Sequence, residues 1–223
     1  MTHSLRVVKI GGSLLNFRDL AVRLRDWLVE QPPALNVLVV GGGPLVDCLR
    51  ETDRLHGIGD EVCHHLAIET MGVTTRLVRK MLADVGMGTI DVLADADAVE
   101  RWRTVASTAV SSHGPTSLAV IDPVAFLRRE ETRDDIRPLP HTWDVTSDSI
   151  AARLATRTNA DELVLLKSCL PPSGATVSTA AMAGYFDPVF PIAAGGRKVR
   201  CVNLRDKALA DTTFAAGVMG FVE

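Results

Sequence analysis

Short apolar runs alternate with longer helical patterns along most of the chain. Leu5–Ile10 and Leu35–Val40 are largely apolar runs of strand length, which is typical of parallel strands that are covered on both faces. Between them, apolar residues recur at helical spacing over 17–28, and Pro32-Pro33 predicts the end of that helix. This alternation predicts βαβ units.

The same patterns predict four more strands and three more helices. The strands are expected at 90–93, Leu118–Ile121, Glu162–Lys167 and 198–202. The helices are expected from Pro44 onward, over 60–85, and over 146–158 with Thr146 as the cap. The mixed charges of 128–135 indicate a solvated helix end and loop. We therefore predict an α/β fold, a three-layer αβα sandwich around a mostly parallel sheet, with ligands beyond the carboxyl ends of the strands.

The composition is that of one globular domain spanning residues 1–223. With 223 residues, 47% of them hydrophobic, the chain can bury a large core. A net charge of −3 argues against nucleic acid as a partner, and no apolar run approaches the roughly 20 residues needed to cross a membrane. The first residues lead directly into a strand pattern without a targeting signal. Together with four widely spaced cysteines, these features favour a reduced, cytoplasmic protein.

The first predicted strand ends in a turn that suits an anion. Gly11-Gly12-Ser13 follows this strand, and glycines allow successive backbone N–H groups to point into one concave nest. Lys9 adds an ammonium group at the same place, so we predict a polyphosphate site and phosphoryl transfer. The alternative is a strand, a glycine turn and a helix that bind no ligand.

Three further features fall on the same predicted edge of the sheet. Gly41-Gly42-Gly43 follows the second strand and gives a second nest that faces the same crevice. Thr146 and Ser147 supply hydroxyl groups, and Asp148 supplies a carboxylate that suits an ammonium group or a magnesium-bound water. Lys167 ends another strand and is expected to point into the crevice. Alternatively, Thr146 and Asp148 are ordinary capping residues and Lys167 is a surface lysine.

In their order along the chain, these features resemble the amino acid kinase family, which includes acetylglutamate, aspartate and uridylate kinases. The matching stretches are Lys9-Ile10-Gly11-Gly12-Ser13, Gly41-Gly42-Gly43, Thr146-Ser147-Asp148 and 159–166, so the resemblance spans roughly residues 5–170. The segments 53–68 and 143–151 look most like one branch of this family, an archaeal-type kinase that acts on an aminomethyl-furanmethanol phosphate in methanofuran biosynthesis.

The resemblance implies an ATP-dependent phosphotransferase that uses Mg²⁺ and a small phosphorylated or carboxylated acceptor. It assigns the roles as follows: Lys9 neutralises the transferring phosphoryl group, Asp148 orients the lysines or the metal shell, Gly11, Gly12, Ser13 and Lys167 contact the nucleotide, and Gly41, Gly42, Gly43 and Thr146 hold the acceptor. It also implies an acceptor side at about 1–140 and a nucleotide side at about 141–223. Family members are often homo-oligomers, and the long helix from Asp60 would be an interface.

The last quarter of the chain departs from the family pattern. Members usually carry a second catalytic lysine after a Gly-Gly-Met stretch, whereas this chain reads Gly195-Gly196-Arg197-Lys198, in which Lys198 or Arg197 is a possible substitute. Many members also have an Asp-Gly pair in the nucleotide loop, which is absent from 167–172. One alternative is therefore a non-catalytic ligand-binding or storage protein on the same fold. Another is a dinucleotide-dependent oxidoreductase, although neither glycine turn has the GxGxxG spacing.

Histidine and tryptophan residues offer two more candidates. His56, Cys63, His64 and His65 lie close together in sequence, but neighbouring residues on a helix face about 100° apart. We therefore expect acceptor contact or ordinary packing there rather than a metal site, while a helical pair of His65 with Glu61 stays open. Trp143 would either stack on a ring-shaped substrate or belong to the core.

Overall fold

The computed structural model describes residues 4–109, 117–134 and 137–215. Met1–His3, Asp135 of the predicted charged run, and residues 216–223 of the predicted domain lie outside these ranges. Within them the strands are β1 (Leu5–Ile10), β2 (Leu35–Val40), β3 (Asp91–Leu93), β4 (Leu118–Ile121), β5 (Glu162–Lys167), β6 (Val199–Asn203) and β7 (Asp211–Phe214). The helices are α1 (Leu20–Glu30), α2 (Pro44–His56), α3 (Asp60–Asp84), α4 (Ala96–Ala109), α5 (Pro123–Glu131), α6 (Ser147–Arg157), α7 (Val177–Met182) and α8 (Phe190–Ala194).

The strands form one sheet in the order β3-β4-β2-β1-β5-β6-β7. Every neighbouring pair is parallel except β6 and β7, which are antiparallel. Helices cover both faces, so the predicted αβα sandwich is confirmed. The six predicted strands are present, two of them with ends shifted by one residue. Strand β7 and helices α4, α7 and α8 lie in segments for which the sequence patterns gave no element.

The charged run 128–135 is not wholly a solvated helix end. It overlaps the end of α5, and Glu130 within it is buried. The carboxylate of Glu130 lies 3.7 Å from Arg153 and 3.3 Å from Arg157, which are both on α6. The prediction was wrong at Glu130 because the two arginines of a packed helix neutralise a charge that would otherwise need solvent.

Successive side chains of β1 point to opposite faces of the sheet, so alternate residues contact different helix layers. Val8 and Ile10 belong to the core cluster that contains Leu24 and Trp27 of α1. Val7 belongs to the opposite cluster, which contains buried residues of α6. Lys9 lies two residues after Val7, so its side chain points to the same face of the sheet, which is covered by α6.

None of the described helices is both long enough and apolar enough to cross a membrane. Among the described residues, even the 25-residue helix α3 is not apolar enough to qualify as a membrane-crossing segment.

Candidate active site

The buried Lys9 and the partly buried Lys167 share one buried aspartate, Asp148, at the carboxyl end of the sheet. The Nζ atom of Lys9 lies 2.7 Å from Oδ1 of Asp148, and the Nζ atom of Lys167 lies 2.7 Å from Oδ2. The side chains of Lys9, Asp148 and Lys167 are 7%, 5% and 13% exposed, respectively. Because two ammonium groups face one carboxylate, the cluster carries a net positive charge.

The topology explains why these three residues meet. Strands β1 and β5 are parallel neighbours, with Lys9 opposite Leu165 and Lys167 at the end of β5. The chain leaves β1 toward β2 on one side, whereas β5 continues to β6 on the other. The carboxyl ends of β1 and β5 therefore mark the switch point of the sheet, where ligands bind in folds of this type. Helix α6 begins at this point and supplies Asp148 from its first turn.

Burial and the neighbouring opposite charges shift the pKa values of Lys9 and Asp148 in opposite directions. Burial lowers the pKa of Lys9, and the nearby ammonium group of Lys167 acts in the same sense, while Asp148 opposes both. Burial by itself would raise the pKa of Asp148, but the two ammonium groups outweigh it and leave that pKa below its usual value. Asp148 is therefore ionised at neutral pH, and it accounts for only one of the two lysine charges.

A second buried aspartate, Asp187, fixes the start of α6. Oδ2 of Asp187 accepts hydrogen bonds from the Thr146 hydroxyl at 2.7 Å and the Thr146 N–H at 3.0 Å. The same carboxylate accepts from the N–H and hydroxyl groups of Ser149 and from the N–H of Phe190 at the start of α8. Burial raises the pKa of Asp187, with these donors opposing the shift. The sequence patterns did not single out Asp187, because Thr146 and Ser149 lie about 40 residues away from it.

Thr146 caps the amino end of α6 with its side chain, whereas the side chain of Asp148 takes no part in capping. The hydroxyl oxygen of Thr146 accepts a hydrogen bond from the N–H of Asp148 at 3.2 Å, which confirms the predicted cap of α6. The side chain of Asp148 is instead directed to the two lysines. Of the two partners proposed for this carboxylate, the structure places ammonium groups beside it.

The two glycine turns pack directly against each other. A Cβ atom added to Gly12 would lie 2.4 Å from the backbone nitrogen of Gly43, and Gly43 itself has a φ of +56°. Only glycine satisfies both conditions, so the turns meet as bare backbone. A Cβ atom on Gly11 would lie 3.8 Å from Nζ of Lys9, which places this ammonium group beneath the first turn.

Not every N–H group of these turns is available to a ligand. The N–H of Gly11 donates to the carbonyl of Leu166 at 2.8 Å, and the N–H of Gly41 donates to that of Ile10 at 3.0 Å. These two bonds anchor the turns to the sheet. The predicted phosphate contacts of the first turn therefore fall to Gly12 and Ser13.

A cavity of about 270 Å³ opens beside the glycine turns. Its lining brings together Gly12, Ser13, Gly42 and Gly43 with Thr146 and Ser147, apolar residues of α2, α3 and α6, and the charged residues Asp47 and Arg50 of α2. The predicted acceptor residues Gly42, Gly43 and Thr146 thus lie around one space. Gly41 is not among the lining residues; it supports the floor through its contact with Gly12.

Trp143 is a wall of this cavity rather than a core residue. Its indole N–H donates to Oδ2 of Asp53 at 2.7 Å, and the guanidinium carbon of Arg50 lies 4.7 Å from the ring centroid. Trp143 is only partly buried, so one part of the ring stays exposed to the cavity.

Neither basic residue proposed as the substitute lysine is near this site. Lys198 precedes Val199, which pairs with Leu163 close to the amino end of β5. Arg197 donates to the carbonyl of Ala160 at 2.8 Å at that same end. Arg205, which the sequence patterns did not indicate, is exposed after the carboxyl end of β6 and donates to the Ser13 carbonyl at 3.0 Å.

The sequence matches the model of a known protein family. The model of the amino acid kinase family matches residues 4–169, which include Lys9, both glycine turns, Asp148 and Lys167. The chain belongs to the amino acid kinase family. This confirms the family resemblance, and membership supports a phosphotransferase activity.

One curated protein and two solved structures are similar to this chain, and the solved structures share its fold. This chain is 23% identical over 205 residues to the [5-(aminomethyl)furan-3-yl]methyl phosphate kinase of Methanocaldococcus jannaschii, covering 91% of this chain and 76% of that protein. UMP kinase from Ureaplasma parvum superposes with a TM-score of 0.61 at 13% identity, over 96% of this chain and 99% of the other. Aspartate kinase from Synechocystis gives a TM-score of 0.62 at 15% identity, over 97% of this chain and 40% of the other.

Proposed function

We propose that this protein is an ATP-dependent kinase for a small phosphorylated acceptor. The cluster of Lys9, Asp148 and Lys167 beneath the glycine turns carries the proposal, because a buried site with excess positive charge suits a transferring phosphoryl group. Phosphoryl transfer needs alignment and preorganised charge more than covalent chemistry from the protein. Lys9 neutralises the transferring group, Lys167 contacts the donor phosphates, and Asp148 positions both lysines.

The residues present fit a magnesium nucleotide. The nest at Gly12 and Ser13 and the excess positive charge of the cluster are complementary to the phosphates of ATP, which supplies the phosphoryl group. Asp148 and Asp187 are already engaged by ammonium groups and hydrogen-bond donors. A Mg²⁺ ion would therefore be held mainly through phosphate oxygens and water, which is its usual mode in kinases.

The acceptor cavity suits a molecule with a positive group, a ring and an anionic group. Asp47 offers a carboxylate to an amine, Arg50 offers a guanidinium to a phosphate, and Trp143 lines the same cavity with an aromatic ring. These three chemistries match the name of the relative from Methanocaldococcus jannaschii, and [5-(aminomethyl)furan-3-yl]methyl phosphate is our candidate acceptor. An oxygen of its phosphate would attack the γ-phosphorus of ATP while the bond to the leaving ADP breaks, so no general base is required.

A direct assay tests this proposal. The protein is incubated with Mg²⁺, ATP and the furan phosphate, and the products are identified by ³¹P NMR; UMP and aspartate serve as comparison acceptors. We expect ADP and a furan diphosphate. Transfer to UMP or aspartate instead would contradict the acceptor, while nucleotide binding without any transfer would favour the non-catalytic binding protein.

Arg205 gives a prediction about the donor side. Because its guanidinium reaches the Ser13 carbonyl from the carboxyl edge of the sheet, we propose that it contacts the nucleotide phosphates in place of the missing second lysine. Arg205→Gln should raise the KM for ATP by about tenfold, the order expected for losing one charge-assisted hydrogen bond, with a smaller effect on kcat. Lys198→Gln is the matched control at the opposite edge, and steady-state kinetics of both variants check the assignment. A larger effect of Lys198→Gln would reverse it.

The predicted homo-oligomer also leads to a measurable expectation. Val62, Leu66, Val73 and Leu77 are exposed along α3 at spacings that place them on one face, which is the surface we propose for pairing with a second copy. Light scattering should give a mass above 24.0 kDa for the wild type and the monomer mass for Val73→Glu/Leu77→Glu. Val29→Glu, at an exposed position on α1, should keep the wild-type mass. A monomeric wild type would contradict the proposal.

A further inference from the structure

We propose that Glu61, His65 and His141 bind one divalent metal ion of the zinc class beside the acceptor cavity. Each of the three residues offers one ligand atom, and the three atoms lie within 4.8 Å of one another. Glu61 and His65 are one turn apart on α3, whereas His141 belongs to the segment that leads into α6. The site therefore joins two parts of the chain that are 80 residues apart.

The distances suit a single ion with little rearrangement. Oε1 of Glu61 lies 2.9 Å from Nδ1 of His141 and 3.4 Å from Nε2 of His65. Tetrahedral ligands at about 2.0–2.1 Å from a zinc ion are themselves roughly 3.4 Å apart. Two imidazoles and one carboxylate form a donor set of open zinc sites, with water as the fourth ligand. Imidazole nitrogens also favour Zn²⁺ over Mg²⁺, so this site is distinct from the one that accepts the magnesium nucleotide.

The surroundings of His141 already orient its ring. The Nε2 atom of His141 lies 3.2 Å from Oε1 of Glu131 on α5. A carboxylate on the second ring nitrogen is the usual partner of a metal-bound histidine, because it fixes the ring and leaves the other nitrogen free for the metal. The ring of His64 stacks on His141 with a centroid distance of 4.8 Å and an interplanar angle of 17°. Glu131 is thus a positioning residue, and Nδ1 of His141 faces the proposed ion.

Solvent and metal have access to the cluster. Glu61 and His65 are exposed, and a groove of about 320 Å³ runs past His65 and Glu131 between α3 and α5. A metal in solution therefore reaches the ligands without opening the core.

The position of the site suggests what the metal does. His64, next to His65 on α3, and Trp143, two residues after His141, both line the acceptor cavity. An ion held by His65 and His141 would tie these two walls together without entering the cavity. Metal binding and kinase activity can be measured separately, so this inference does not depend on the proposed function.

Calorimetry with Zn²⁺ alone tests the inference. The full chain, purified without a histidine tag and freed of metal with EDTA and dialysis, is titrated with ZnCl₂, and Co²⁺ is added in parallel to detect the visible absorption of a tetrahedral site. We expect one ion per chain and a Kd below about 10 μM, the range of dedicated protein sites rather than casual surface binding.

Variants assign the ligands. His65→Ala and His141→Ala should each weaken binding at least tenfold, and Glu131→Gln should weaken it by about 10- to 100-fold. His56→Ala, which removes an exposed histidine of α2 outside the cluster, should bind like the wild type. Thermal unfolding in EDTA verifies that His141→Ala is folded, and His65→Ala provides a second test on an exposed helix surface. Absence of Zn²⁺ binding by the wild type, or wild-type affinity in both histidine variants, would overturn the proposal.

Discussion

Lys9→Met should lower kcat by about 100- to 1,000-fold, the effect typical of losing one preorganised charge that stabilises a transition state. The KM for ATP should change less, because Lys167, Gly12 and Ser13 still contact the donor in the proposed mechanism. The fold should persist. Burial already lowers the pKa of Lys9, which means that its charge is held against a desolvation cost, and Asp148 keeps Lys167 as a partner.

Steady-state kinetics and thermal unfolding of the same preparations separate these effects. Lys80→Met is the matched control, because Lys80 pairs with Asp84 on the exposed surface of α3 and should affect neither kcat nor stability measurably. A Lys9→Met variant with wild-type kcat would remove Lys9 from the mechanism. A variant that fails to fold would show instead that the charge of Lys9 is structural.

Asp148→Asn should cost far more stability than Lys9→Met. The substitution leaves the buried ammonium group of Lys9 beside that of the partly buried Lys167 without their shared carboxylate. Removing one partner of a buried ion pair typically costs about 3–5 kcal/mol. Chemical denaturation at neutral pH should show this loss. Activity should fall as well, with a larger effect on kcat than on nucleotide affinity, because Lys9 loses its carboxylate partner and Lys167 keeps only the Tyr185 carbonyl and ring contacts.

The pH dependence of that loss has a definite sign. Burial and the charge of Lys167 already lower the folded-state pKa of Lys9, and Asp148→Asn removes the carboxylate that opposes them. The unfolded chain, in which a lysine has a pKa of about 10.4, therefore binds more protons than the folded variant. The stability of the variant should therefore rise with pH from the depressed value toward 10.4. The double variant Asp148→Asn/Lys9→Met should recover part of the loss at neutral pH. Asp84→Asn is the surface control. A loss of stability in Asp148→Asn that is the same at all pH values would contradict this electrostatic origin.

The ends of β1 and β2 were predictable because their signals are local. An apolar run followed by glycines specifies a strand and a turn within about ten residues, as at Gly11-Gly12-Ser13 and Gly41-Gly42-Gly43. The hydroxyl of Thr146 caps its own helix, so that boundary was also readable. The antiparallel strand β7 was missed because its four residues, Asp211–Phe214, form a strand only through pairing with β6.

The parts of the site that depend on distant partners could not be predicted. Asp187 looks like an ordinary loop aspartate until Thr146 and Ser149 surround it. Arg205 gains its position from the turn at Ser13, nearly 200 residues earlier. The sequence grouped His65 only with histidines close to it along the chain. His141, which lies beside His65 in the structure, belongs to the segment before α6 and could not be predicted as its neighbour.

The sequence by itself determined the class of fold, the family and the identity of the charged residues at the strand ends, because strand periodicity, glycine turns and helix caps are short-range properties. Only the tertiary structure decided how those charges are combined. Bringing β1, β5 and α6 together placed Asp148 between Lys9 and Lys167, and it sent Lys198 to the opposite edge of the sheet. The strand order that produces this arrangement comes from the packing of the whole core, which no local pattern encodes.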